Sequence, residues 1–112
     1  MRDIDITAEC QEFIESLNER ADEKFDYILQ IMLEVKVVSK EFVKKIESST
    51  FYEMRVRAGG EYRIILFAID HQNFIEAKKV VLLNGFVKKA NKDYKKALKK
   101  AERLLEEYTN EK

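Results

Sequence analysis

Five cations, Arg55, Arg57, Arg63, Lys88 and Lys89, and one phenol, Tyr94, are the side chains whose types and spacing suit chemistry. Together they suit the gripping of an anion, a phosphate above all. A guanidinium is planar, permanently charged and matches two phosphate oxygens at once. Cations fixed around a reacting phosphate stabilise the charge that builds on its oxygens. Arg63 stands out as the one charged residue in YRIILFAI, an otherwise apolar segment. Its competing reading is an ion pair with a core-edge carboxylate such as Glu53. Arg55 and Arg57 compete with a reading as solvent-facing arginines, and Lys88 and Lys89 with one as a charged strand end. Tyr94 can pass a proton or stack on a base, yet it also opens the apolar stripe of the last helix.

Other chemistries find little support. There is one histidine, His71, in a predicted turn, and one cysteine, Cys10, on an apolar helix face. No glycine-rich phosphate loop, histidine cluster or Ser/His/Asp set is present, which disfavours nucleotide hydrolysis and metal catalysis. A single cysteine forms no internal disulfide, so a reducing cytoplasm is the expected compartment. The opening MRDIDITAEC has no apolar core of a signal peptide, and no apolar run approaches the roughly 20 residues of a membrane span.

The formal net charge is zero, but it is unevenly spread. Residues 1–50 hold 7 Lys and Arg against 12 Asp and Glu, and residues 51–112 hold 14 against 9. Between 78 and 103 there are ten basic residues and two acidic ones, Asp93 and Glu102. Such a block attracts a phosphate backbone. The alternative is a solvated lysine face.

These groups need elements to hold them. FYEMRVRA alternates with period two, so Tyr52, Met54 and Val56 face one way and Glu53, Arg55 and Arg57 the other. Gly59-Gly60 signals a hairpin. YRIILFAI predicts a covered central strand, Asp70-His71-Gln72-Asn73 a turn, and KVVLLNGFV a third buried strand. From about Asn91 a long helix carries the stripe Tyr94, Ala97, Leu98, Ala101, Leu104, Leu105 and Tyr108. Its other face holds Lys92, Lys95, Lys96, Lys99, Lys100 and Arg103. Upstream, DIDIT is a weak edge strand, and Thr7 caps a helix running to about Leu17. A second helix fits about Asp22–Val37, with Phe25, Ile28, Leu29 and Met32 on one face. Ser39 can cap a third, short helix carrying Phe42, Val43 and Ile46. The sum is one α+β domain over 1–112: a small antiparallel meander with N-terminal helices and a C-terminal helix, packed on one side.

Hairpin register decides which cations share a face. A two-residue Gly59-Gly60 loop pairs Val56 with Arg63 and sends Arg55 and Arg57 to the opposite face. A three-residue Gly59-Gly60-Glu61 loop pairs Arg57 with Arg63 and gathers all three. The pattern leaves both open. Gathered guanidiniums repel one another and imply an anionic ligand.

From Tyr52 to Ala101 the chain resembles the HigB-like branch of the RelE/ParE toxin superfamily. Tyr52-Glu53-Met54-Arg55 is similar to that family's YELR strand, and Glu61-Tyr62-Arg63-Ile64-Ile65-Leu66-Phe67 to its YRILYF. Leu83-Asn84-Gly85-Phe86-Val87-Lys88-Lys89 is similar to LHGFxKK. Order and spacing carry more weight than any one piece. The stretch from Lys88 to Tyr94 departs from the proline-containing KKTxKTP of many relatives, and the histidines that some HigB toxins place in their sites are missing.

The resemblance implies a small antiparallel sheet flanked by helices, and it favours the three-residue hairpin loop because Arg55 then lies near Arg63. It implies a ribosome-dependent mRNA endonuclease, the toxin of a type II toxin–antitoxin system, working without metal or cofactor. In that chemistry the 2′-hydroxyl attacks the adjacent phosphorus. Arg55, Arg63, Lys88 and Tyr94 would be catalytic, with Arg63 on the scissile phosphate and Lys88 a second phosphate-binding cation. Arg57, Lys89, Lys92, Lys95, Lys96 and Lys99 would bind RNA. The implied partners are a cognate antitoxin of helix-turn-helix type, the ribosome and mRNA, with no membrane and no small-molecule cofactor. Two alternatives stand beside it: a ParE-like, non-enzymatic gyrase inhibitor, which lacks the cation cluster, and a catalytically degenerate binding module.

Overall fold

The alternating segment at 52–57 and the apolar segment after it pair as a hairpin at the middle of the fold. A computed structural model describes residues 1–111. The elements are β1 (Asp3–Ile6), α1 (Ala8–Glu15), α2 (Glu19–Glu34), β2 (Val43–Lys45), β3 (Tyr52–Arg57), β4 (Glu61–Ala68), β5 (Lys79–Val87) and α3 (Lys92–Asn110). They form a five-stranded sheet in the order β1-β5-β4-β3-β2. Strands β2 to β5 are antiparallel, and β1 joins the outer edge of β5 in parallel. The α+β class and the meander match expectation. The parallel edge strand makes the sheet a mixed one.

Helices cover both faces, which corrects the expectation that they pack on one side. Cys10, Ile14, Phe25, Ile28 and Met32 of α1 and α2 pack on Met54, Val56, Ile64, Leu66, Val80 and Leu82. Ala97, Ala101 and Leu104 of α3 pack on Ile65, Val81 and Leu83 on the other face. The reason lies in β4 and β5, which are apolar on both sides and so need two covers.

The helix boundaries follow from their caps. Thr7 accepts from the Cys10 amide (3.0 Å) and starts α1. Asn18 accepts from the Ala21 amide (2.9 Å) and starts α2 at Glu19, three residues before the expected Asp22. The short helix expected after Ser39 is absent. Ser39 Oγ accepts from the Glu41 amide (3.1 Å) in a tight turn, and Val43–Lys45 pairs with β3 as the edge strand β2. Val43 and Ile46 are buried in opposite layers, which one helix face could not achieve. Among the described residues, no helix is long and apolar enough to cross a membrane.

The central hairpin settles the question of faces. Arg55 pairs with Arg63, Val56 with Tyr62 and Arg57 with Glu61. The loop is therefore Ala58-Gly59-Gly60, one residue earlier than the Gly59-Gly60-Glu61 version, which shifts the pairing register by two. Gly59 takes φ +72°, a left-handed conformation that glycine adopts without steric cost. Because side chains alternate, a shift of two preserves the face, and Arg55, Arg57 and Arg63 share it. That face is the one under α3.

Candidate phosphate-binding site

Arg63 is fully buried, and its charge is answered from within the protein. Its Nε donates to the Tyr94 hydroxyl (3.2 Å) and forms an ion pair with Glu53 Oε1 at 2.9 Å. Its Nη2 donates to Glu61 Oε1 (2.7 Å), and its Nη1 to the Tyr62 carbonyl (3.2 Å). Tyr94 in turn donates to Glu53 Oε1 at 2.6 Å. Three elements thus meet at one guanidinium: β3 through Glu53, β4 through Glu61 and Arg63 itself, and the first turn of α3 through Tyr94. In the structure as it stands, Arg63 is not open to a phosphate. The edge that would face one is covered by Glu61.

The other cations ring this centre. Arg57 Nε lies 3.3 Å from the same Glu61 oxygen. Arg55 faces Arg63 across the ladder and is partly exposed. Its Nε is buried with no hydrogen-bond partner among the described residues. The Lys88 amide continues the ladder by donating to the Glu61 carbonyl (2.7 Å), and its ammonium lies 5.8 Å from the centre of the Tyr94 ring. Phe86 packs edge-on against the same ring at 5.2 Å. Four cations therefore surround two carboxylates, an excess of positive charge at one end of the sheet.

Burial and pairing set the protonation states. Burial alone would pull the Arg63 guanidinium down. Hydrogen bonds to Glu61 and Tyr94 and the charge of Glu53 outweigh it and leave Arg63 above arginine's ordinary value. The hydrogen bond from Arg63 holds the Glu61 carboxyl below the usual carboxylate range, helped by the charges of Arg63 and Arg57. Burial, then the hydrogen bond it donates to Glu53, pushes the Tyr94 phenol up. At neutral pH Tyr94 keeps its proton and Glu61 is an anion.

Lys89, Lys92, Lys95, Lys96 and Lys99 are all exposed, on or just before α3. Lys92 and Lys96, with Lys100, line a groove of about 410 Å³ between α3 and β5 that reaches Phe86. Lys95 and Lys99 do not line it. Lys100 also forms an ion pair with Glu9. The start of α3 is fixed by Asp93, whose carboxylate accepts from the Lys89 and Ala90 amides (2.7 and 2.9 Å). That contact places Tyr94 over the cation cluster. Sequence reasoning missed Glu61 as a site residue. The signal was available: an acid two positions before Arg63 shares its face on any strand.

Comparisons with known proteins agree with this architecture. The family of phage-derived Gp49-like proteins (DUF891) matches residues 12–106. No curated protein matches. Among solved structures, the E. coli RelBE toxin–antitoxin complex aligns at TM-score 0.60 and 16% identity, over 80% of this chain and 100% of that one. A free E. coli RelE toxin carrying two arginine-to-alanine substitutions aligns at 0.59 and 20%, over 86% and 93%. The isolated E. coli RelE toxin aligns at 0.55 and 17%, over 88% and 97%. The RelE/ParE-type fold expected from the motifs is the fold found, and the chain belongs to the Gp49-like family of phage-derived proteins.

Proposed function

We propose that this protein is a HigB-like toxin of a toxin–antitoxin pair, an endonuclease that cuts mRNA on the ribosome. The observation that carries the reading is the convergence of Arg55, Arg57, Arg63 and Lys88 around the Tyr94–Glu53 pair beneath the first turn of α3. A cluster with excess positive charge at the open end of a sheet suits a phosphodiester, and the lysines of α3 extend the charge along a nucleic-acid strand.

The chemistry follows from the groups present. The 2′-hydroxyl oxygen attacks the adjacent phosphorus in line, and the bond from phosphorus to the 5′-oxygen breaks. The products are a 2′,3′-cyclic phosphate and a 5′-hydroxyl. Tyr94 takes the 2′ proton as it hands its own proton to Glu53, a relay that never requires a free phenolate. Lys88 delivers a proton to the leaving 5′-oxygen. Arg55 and Arg57 stabilise the charge on the phosphoryl oxygens. Arg63, through Nε, holds Glu53 and Tyr94 in register. Positioning of the message by the ribosome supplies a further share of the barrier reduction. A helix-turn-helix antitoxin is the partner that would cover the cationic end, as the RelBE complex is itself a toxin–antitoxin assembly.

Controlled expression followed by mapping of message ends tests the reading. The expected result is growth arrest with new 5′-hydroxyl ends inside translated reading frames, lost when the start codon is removed and reduced in Arg55→Ala. Growth arrest with intact messages and damaged DNA would move the protein to the gyrase-inhibitor class. Normal growth with intact messages would leave it an inert binding module.

A further inference from the structure

We infer that the Glu61 carboxylate sits in the seat of an RNA phosphodiester oxygen and is exchanged for it when RNA binds. The inference rests on the nucleic-acid reading above.

The two acids around Arg63 are held very differently. Glu53 is 6% exposed, accepts from the Tyr94 hydroxyl and is ion-paired with Arg63 Nε, so it is fixed. The Glu61 side chain is 44% exposed. One of its oxygens, Oε1, bridges two guanidiniums, 2.7 Å from Arg63 Nη2 and 3.3 Å from Arg57 Nε. A single anionic oxygen between two arginine forks is what a phosphodiester presents. The Glu61 backbone is locked by pairing with Arg57 and by the Lys88 amide, so the side chain can swing out while the strand stays in place.

Simple departure is not open to it. Without Glu61, Arg63 Nη2 would be a buried, charged donor with no acceptor, which is costly. Another anion must arrive as Glu61 leaves. Glu61 is itself ionised well below neutral pH, so the exchange is anion for anion. In the free protein the carboxylate offsets the repulsion between gathered arginines. In the complex, Arg57 and Arg63 both touch the phosphate.

The test uses a 2′-O-methyl RNA hexanucleotide, whose blocked 2′-oxygen prevents cleavage, with the intact protein and Glu61→Gln. The amide of that variant is uncharged and competes weakly with a phosphate. Removing a part-exposed ion pair worth up to about 1 kcal/mol corresponds to roughly five-fold tighter binding. Parent and variant make the same phosphate contacts once RNA is bound, so the slope of log K against log salt should be the same for both. In the unmodified protein the oligonucleotide should shift the Nε–H resonances of both Arg57 and Arg63. That arm requires no variant to fold. Tighter binding at an unchanged salt slope, with both shifts, supports the exchange. Unchanged affinity and unmoved arginine resonances, with message cutting intact, would leave Glu61 a structural ion pair and overturn the inference alone. Tighter binding without any message cutting would keep the phosphate seat and remove the nuclease. Absence of RNA binding by either protein would remove both.

Discussion

Tyr94 donates its phenolic hydrogen to Glu53 Oε1 over 2.6 Å, tying the first turn of α3 to β3 across 41 residues of sequence. This bond orders the proposed proton relay and fastens the helix. In Tyr94→Phe the ring stays and the relay is cut. A hydrogen bond to a charged group contributes about 1.5–3 kcal/mol, so a stability loss within that range is expected in urea unfolding. Message cutting should fall by about 10²-fold or more, the usual contribution of a proton-transfer group. A stability loss with undiminished cutting would reduce Tyr94 to a fastening.

Arg63 and Arg55 face each other across the ladder, yet their substitutions should behave oppositely. Arg63→Ala strands Glu53 in the interior, and removing one partner of a buried pair costs about 3–5 kcal/mol. For a domain this size that is a large share of its stability, so loss of cutting in Arg63→Ala would report unfolding as much as chemistry. Arg55 Nε, by contrast, is unpaired among the described residues. Arg55→Met should leave stability within about 1 kcal/mol of the parent, or raise it, because a like charge is removed from the cluster. RNA affinity should drop with a shallower salt slope. Unfolding curves and salt-dependent binding on the two variants separate a keystone from a ligand contact.

The fold was legible where periodicity was strong, and the site only as far as parity. The strands at 52–57 and 79–87 and the stripe of α3 follow from alternation and helical spacing. That Arg55, Arg57 and Arg63 share a face survives a register error of two residues, because side chains repeat every two. The short β2 was hidden because Phe42, Val43 and Ile46 fit a helix turn as well as a strand, and only pairing with β3 decides. Arg2 was also illegible. It is buried and donates to the carbonyls of Met32 (3.0 Å) and Phe74 (3.2 Å), and so closes the C-terminal end of α2 against the loop before β5. Nothing local in MRDIDI marks that contact, since its acceptors are backbone atoms far along the sequence. The neutralisation of Arg63 has the same origin: a strand pattern says which acids share its face, not which bond it.

Gly85 in β5 lies directly under the Phe13 ring of α1, and a Cβ added there would land inside that ring. The glycine lets α1 approach the sheet on the face opposite the cation cluster. Gly85→Ala must push Phe13 aside, and overpacking of this kind typically costs about 1–3 kcal/mol. The clash is with a side chain, so trimming it should relieve the damage. In a double-mutant cycle, Phe13→Ala should make Gly85→Ala close to neutral. Additive losses would place the strain in the backbone of β5 instead.

Cys10 is fully buried on α1, and burial, with a smaller push from the Glu9 charge, sends its thiol up to about 12. The folded protein therefore keeps this proton at pH values where the unfolded chain, ionising near about 8.5, has lost it. A group raised on folding contributes its full stability below the unfolded value and loses it as pH rises towards the folded one. Here that window runs from about 8.5 to about 12. Within it Cys10 lowers stability by up to about 1.4 kcal/mol per pH unit. The free-energy advantage of the parent over Cys10→Ala should shrink by about 1.5 kcal/mol between roughly pH 8.5 and pH 10. The same burial should keep the native thiol unreactive, so that a disulfide reagent labels it only as fast as the protein opens. Prompt labelling in native buffer, or a pH-independent difference between the two proteins, would show that α1 does not seal this residue against β5.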